Sequence, residues 1–162
     1  MNTGKLLSAN TNDSYVVKLV GDVRVPLCKT IDECVETICA EPFKHLTIDF
    51  SEAENADSTT LGLMAKLCIR AKSLCGVMPV IYTPHDDMTR LLHSMGFENI
   101  CILSGSQPTD SASLSPIEWE SECCDDETAK NHVLEAHRTL MTLCEGNESQ
   151  FSDLVKHLEA EL

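Results

Sequence analysis

The stretch Leu46-Thr-Ile-Asp-Phe-Ser51, followed after a short acidic loop by Asp57-Ser-Thr-Thr-Leu-Gly-Leu-Met-Ala-Lys66, contains a change of hydrophobic period. Apolar and polar residues alternate from Leu46 to Phe50, which is typical of a β-strand. After residue 57 the apolar residues recur every three or four positions, which predicts a helix. Ser58 lies at this transition, and we therefore expect it at or next to the N-cap of the helix.

A helix N-terminus offers free backbone N–H groups and the positive end of the helix dipole, and both stabilise an added dianion. Ser58 is therefore predicted to be a phosphate acceptor in a regulatory switch. An ordinary capping role for the same serine is the alternative. The carboxylate of Asp57 is expected to act as a second cap, to orient the hydroxyl or to contact a kinase.

The rest of the N-terminal region alternates strands with helices, which predicts an α/β fold with a mostly parallel sheet and a short N-terminal strand at one edge. Gly21 is expected at a bulge or a tight bend between the first two strands. The predicted elements are strands over Tyr15–Val20, Val23–Leu27, 46–50, 77–83 and 100–103, and helices from Thr30 to about Glu41, over 58–74 and from about 88 to Gly96.

Composition changes after residue 104, which divides the chain into three parts. Residues 1–104 are predicted to form the α/β domain, residues 105–126 an acidic linker, and residues 127–162 a two-helix extension. Asn147 and Gln150 resemble a capping box that starts the last helix. The two amphipathic helices are expected to pack on each other and on the main domain, or to present an apolar groove to a partner.

Acidic residues dominate the charge, giving a formal net charge of −14. Residues 1–104 carry 13 acids and 9 bases, whereas residues 105–162 carry 13 acids and 3 bases. Such a field excludes binding to nucleic acid and to anionic membranes, and the acidic excess is read as a solvated face or as a docking surface for a basic partner. The chain has no apolar run of membrane-spanning length and no secretory start, which predicts a cytoplasmic protein.

Nine cysteines are present without any C-x-x-C pair, and most are expected to be reduced core residues. The vicinal pair Cys123-Cys124 is expected to be exposed to oxidation. The histidines are dispersed, and none is an obvious base for Ser58, so we predict neither a metal, nor a cofactor, nor enzymatic activity. The histidines are His45, His85, His93, His132, His137 and His157.

Residues 1–104 resemble a STAS domain, the fold of bacterial anti-sigma factor antagonists. The resemblance lies in the order of the elements, in the stretch 46–51, in Ala56-Asp-Ser-Thr-Thr-Leu-Gly-Leu-Met64, and in the turn Met95-Gly96-Phe97. It implies a STAS fold for these residues, and the two-helix extension after residue 104 is a departure from the minimal family pattern. Chains with such an extension look like those of gammaproteobacterial modules in which a response regulator carries the kinase and phosphatase domains, and which control motility, biofilm or stress genes.

The resemblance also implies partner switching. In the family, a serine kinase that is itself an anti-sigma factor phosphorylates the serine at the position of Ser58, and a PP2C-type phosphatase removes the phosphate. The unphosphorylated antagonist binds the anti-sigma factor and frees the sigma factor for transcription. Thr59 is the alternative acceptor, and the partner is expected to contact Asp57, Ser58, Thr59, Thr60, Leu61 and Gly62. A second possibility is a STAS accessory subunit that binds the ATPase of a lipid transporter without phosphorylation.

Overall fold

A six-stranded mixed sheet lies at the centre of the computed structural model, which describes residues 3–11, 13–76, 78–108, 116–121 and 124–161. The strands are β1 (Lys5–Asn10), β2 (Ser14–Val23), β3 (His45–Ala56), β4 (Val80–Tyr82), β5 (Ile102–Ser104) and β6 (Ile117–Glu118). The helices are α1 (Cys28–Ile38), α2 (Ser58–Cys75), α3 (Asp86–Ser94), α4 (Asp126–Met141) and α5 (Glu145–Glu161).

The strand order β5-β4-β3-β2-β1-β6 confirms the predicted α/β fold. Strands β2, β3, β4 and β5 are parallel, because α1, α2 and α3 connect them in turn, and β1 is antiparallel to both of its neighbours. The sequence placed the N-terminal strand at the edge of the sheet. In the structure the two-residue strand β6, which falls in the predicted linker, covers that edge.

The predicted first strand pair is wrong in its boundaries. The pair consists of β1 and β2, and β2 continues through Gly21, whose φ of 77° and neighbouring register shifts confirm the expected irregularity. Val25–Leu27 forms a 3-10 turn instead of a strand and leads directly into α1, which begins at Cys28 rather than after Thr30. Pro26 explains this turn, because its fixed φ suits a helix start and it has no N–H for a sheet.

The predicted central helix is confirmed almost residue for residue. Helix α2 spans Ser58–Cys75 and ends at Gly76, which adopts the left-handed conformation with φ 70°. Gly96, with φ 84°, likewise follows α3 and Met95. Both termini were predicted from glycine, which reaches positive φ without steric cost.

Helices α4 and α5 pack on each other and on the main domain, which is one of the two expected arrangements. Ala136, Leu140, Leu143 and Phe151 belong to the same buried cluster as the residues of the sheet and of α2. A smaller cluster of Leu134, Val155 and Leu158 joins α4 to α5. The extension therefore shares the core of the α/β domain.

Asn147 has a different role from the predicted one. Helix α5 begins at Glu145, and the Asn147 side chain is 1% exposed. Its Nδ2 atom donates to the carbonyl oxygens of Met95 and Leu140, both at 2.7 Å. The capping-box prediction is thus wrong, since Asn147 joins α5 to the end of α3 and to α4.

Among the described residues, no helix combines the length and the hydropathy that crossing a bilayer would require.

Candidate functional site

Asp57 is the N-cap of α2, and both of its carboxylate oxygens are used within the chain. Oδ1 accepts from the backbone N–H of Thr60 and Oδ2 from that of Val25, each at 2.8 Å. One carboxylate thereby fixes the start of α2 and the turn before α1. Asp57 acts as the helix cap, and Ser58 is the first helical residue.

The hydroxyl of Ser58 lies 2.8 Å from Nε2 of His137, on helix α4. Nδ1 of the same ring lies 2.7 Å from the carbonyl oxygen of Val133. Because a carbonyl only accepts, Nδ1 carries a hydrogen, and in the neutral ring the Ser58 hydroxyl donates to Nε2. His137 is 2% exposed, and its ring packs edge-on against Phe151 with centroids 4.9 Å apart. The extension therefore holds the predicted phosphate acceptor directly.

His137 is the site residue that the sequence prediction missed, since it was counted among the dispersed histidines without a partner. The only signal for it in the sequence is its place on α4. It lies three residues after Leu134 and three before Leu140, on the face that is otherwise apolar. A polar ring in such a stripe requires a buried hydrogen-bond partner.

The residues expected to meet a partner are exposed very unequally. Asp57 and Ser58 are half-buried. The next four residues lie inside: Thr59 (3% exposed), Thr60 (1%), Leu61 (1%) and Gly62 (buried). The Thr60 hydroxyl donates to the carbonyl oxygen of Val23. A partner that binds this conformation can contact Asp57 and Ser58. Contacts with the other four residues stay predictions.

Gly62 packs directly against α4. A Cβ atom at this position would overlap the backbone of Ala136, lying 2.6 Å from its carbonyl carbon and contacting its carbonyl oxygen more closely still. Only glycine permits such an approach of the two helices. One turn of α2 thus presents both Ser58 and Gly62 to α4.

Lys66 joins α2 to α1 and α4 one turn further along. Its Nζ atom lies 2.7 Å from Glu135, 2.9 Å from Asp32 and 3.3 Å from Glu36. Ligand atoms of Asp32, His132 and Glu135 lie within 4.8 Å of one another, which is close enough for a shared metal ion. The ammonium group of Lys66 already bonds the two carboxylates, so the cation of this cluster is the lysine.

Most cysteines lie where the sequence placed them, as free thiols in the core. Cys34 is 1% exposed, and its burial raises the pKa of the thiol to about 12. Cys28 is also buried, and its desolvation together with the nearby Cys124 raises its pKa to about 12. Cys123, half of the vicinal pair, lies outside the described residues, and the Sγ of Cys124 lies 4.0 Å from that of Cys28.

Alkylation of the native protein at pH 8 is expected to spare Cys28 and Cys34. A rise of pKa from 9.0 to about 12 lowers the thiolate fraction about a thousandfold, and the thiolate is the reactive form. Among the described residues, iodoacetamide should first modify the half-buried thiols, which are Cys75, Cys124 and Cys144. Peptide mass mapping before and after denaturation measures this order. Labelling of Cys34 as fast as Cys75 would contradict the assigned burial.

Two cavities lie near the N-terminal end of α2, and Ser58 lines neither of them. The larger, of about 490 Å³, runs between the end of β3 and α3 and includes Asn55, His85 and Met88. His85, which lines it, donates from Nε2 to the carbonyl oxygen of Ser51 at 2.8 Å. The smaller, of about 280 Å³, lies beside Arg24 and Leu27.

Comparisons with known proteins agree with this fold. The solved structures similar to this chain include the anti-sigma factor antagonist SpoIIAA in its unphosphorylated form, with 15% identity and a TM-score of 0.53, covering 67% of this chain and 93% of that one. They also include the Bacillus cell fate determinant SpoIIAA in the phosphorylated form, with 14% identity and a TM-score of 0.51, covering 65% and 95%.

A search among curated protein sequences gave no match. The family model of the STAS domain, in contrast, matches residues 7–110, which is more than half of the chain. The order of strands and helices, the Asp57-capped helix and this match lead to one conclusion: the chain belongs to the STAS domain family.

Proposed function

We propose that this protein is a bacterial, cytoplasmic anti-sigma factor antagonist that regulates sigma-dependent transcription. It binds an anti-sigma factor or a related serine kinase while Ser58 is unphosphorylated, and phosphorylation of Ser58 ends the complex. A PP2C-type phosphatase, in some modules part of a response regulator, restores the active form. The protein itself is not an enzyme.

The observation that carries this proposal is the position of Ser58. It is the first residue of α2, directly after the Asp57 cap, in a fold similar to that of SpoIIAA, whose solved structures include a phosphorylated form. A phosphate there adds about −1.5 to −2 charges beside the Asp57 carboxylate, on a surface that must lose water when a partner binds. Ser58 lines neither of the two cavities, which favours a modified residue over a catalytic one.

A phosphorylation assay tests the acceptor. We expect the purified protein, incubated with ATP and a lysate of the source organism, to gain one phosphate that maps to residue 58. Ser58→Ala should remain unmodified. Thr59→Val, which keeps the shape of the buried neighbour, should be modified like the wild type. A phosphate on Ser58→Ala would exclude Ser58 as the acceptor, and its loss in Thr59→Val would identify Thr59.

Quantitative capture from the same lysate tests the partner. An anti-sigma factor or serine kinase is expected to be enriched about tenfold on Ser58→Ala relative to Ser58→Asp, a difference of about 1.4 kcal/mol in binding. Equal recovery of such a protein on both variants would refute the switch. Equal recovery of a transporter ATPase would instead support the accessory subunit of a lipid transporter.

A further inference from the structure

Helix α4 packs against α2 and places a side chain on the Ser58 hydroxyl. Its His137 is hydrogen-bonded to the Ser58 hydroxyl through Nε2, and the ring itself is 2% exposed. The serine is thus half-buried under a residue of the same chain. A kinase needs that hydroxyl free, because the oxygen must attack the transferred phosphorus.

The contact is part of a broad interface between α4 and the main domain. Ala136 lies against Gly62 without room for a side chain, and Leu140 is 0% exposed. Glu135 bonds the Lys66 ammonium at 2.7 Å. Beyond α4, Asn99 donates to the carbonyl oxygen of Leu143 at 3.1 Å. Three successive turns of α2 are therefore covered from Ser58 to Lys66.

A phosphate on Ser58 would conflict with this arrangement. Esterification removes the hydroxyl hydrogen, so a neutral His137 ring loses the bond that Nε2 accepts. The new group carries three oxygens on a phosphorus bonded to Oγ, yet the ring already lies 2.8 Å from that atom. Both the space that the phosphate oxygens need and the loss of this hydrogen bond oppose a docked α4.

We propose that α4 is an internal occupant of the docking surface around Ser58, and that a docked α4 and a phosphate on Ser58 exclude each other. This inference rests on the phosphorylation of Ser58 in the proposed function. The unphosphorylated chain then has two forms. In the covered form, which is that of the structure, α4 is docked on α2, and in the uncovered form kinase and partner can reach Ser58. Phosphorylation holds the chain in the uncovered form.

This competition sets the affinity of the antagonist. If a partner binds only the uncovered form, its apparent dissociation constant rises as the uncovered fraction falls. The contacts of His137, Ala136 and Glu135 thereby tune partner binding without touching the partner. The extension becomes a regulator of the switch that precedes it in the chain.

Phosphoserine incorporated at position 58 during synthesis of the full chain tests the inference without a kinase. Hydrogen exchange of the purified protein is compared with that of the unmodified chain and of a chain with phosphoserine at position 106. Ser106 is exposed and follows β5, which makes it a control for charge alone. We expect the amides of α4 to exchange at least about tenfold faster with phosphoserine 58, while β2 and β3 stay protected.

Two outcomes would overturn the inference. Unchanged exchange in α4, with the phosphate present by mass, would mean that the site accommodates both groups. Loss of protection in β2 and β3 as well would mean that α4 is inseparable from the fold. Neither outcome depends on a partner. If phosphoserine 58 releases α4 but the capture experiment fails, only the proposed function is refuted. If capture succeeds but α4 is not released, only the inference about α4 is refuted.

Discussion

Replacing Gly62 with alanine is expected to separate α4 from α2 and to lower the free energy of unfolding by about 2 kcal/mol or more. The added Cβ would lie 2.6 Å from the carbonyl carbon and the Cβ of Ala136, and backbone atoms cannot rotate away as a flexible side chain can. Helix propensity favours alanine by about 1 kcal/mol, but overpacking against backbone costs more. Urea unfolding measures the stability, and hydrogen exchange of α4 locates the change.

The matched control is Gly146→Ala in α5. The substitution is the same and the position is also helical, but a Cβ atom there meets nothing within 4 Å. We expect it to be neutral or to stabilise by up to about 1 kcal/mol. If Gly62→Ala unfolded at the urea concentration of the wild type with α4 still protected, the close approach of the two helices would be refuted.

The strand and helix around Asp57 could be predicted because the signals are local. Alternation through β3, the cap before α2 and Gly76 after it all lie within the segments that they define. Where local signals were weak or ambiguous, the prediction was wrong. Strand β1 holds adjacent leucines at positions 6 and 7, of which only Leu6 is 0% exposed, so no clear alternation marks it. Pro26 suits an edge strand and a helix start equally well.

The pairing of Ser58 with His137 could not be read from local patterns, since 79 residues separate them. Such a pair depends on how closely α4 approaches α2, and the absence of a side chain at position 62 permits the observed approach. Asn147 posed the same difficulty, because a capping box and a buried amide have the same local sequence. In both cases the role of the polar residue depends on how the extension packs on the main domain, and local sequence patterns do not indicate that packing.

Replacing Lys66 with methionine is expected to lower the free energy of unfolding by about 2–3 kcal/mol, between the values for exposed and buried ion pairs. The lysine side chain is 15% exposed, and its loss leaves Asp32 and Glu135 near each other without the ammonium group that bonds both. Burial alone would lower the pKa of Lys66, but hydrogen bonds to Glu135 and Asp32 outweigh it and raise that pKa. Because the pKa of Lys66 is higher in the folded than in the unfolded chain, its charge stabilises the fold. This stabilisation is complete at a pH below the unfolded pKa of about 10.4, and it is lost as the pH rises through the folded pKa.

Urea titrations at several pH values measure the difference in the free energy of unfolding between the wild type and Lys66→Met. This difference should stay constant from pH 7 to about pH 9. It should become smaller only in stronger alkali, where the wild-type lysine loses its charge. Lys72→Met is the control, because it removes the same charge from an exposed residue in the last turn of α2 and should cost less than about 1 kcal/mol. Equal losses in both variants would mean that the cluster adds nothing beyond net charge. A selective loss at Lys66, with faster exchange in α4, would establish this lysine as the ionic link between the extension and the helix that begins at Ser58.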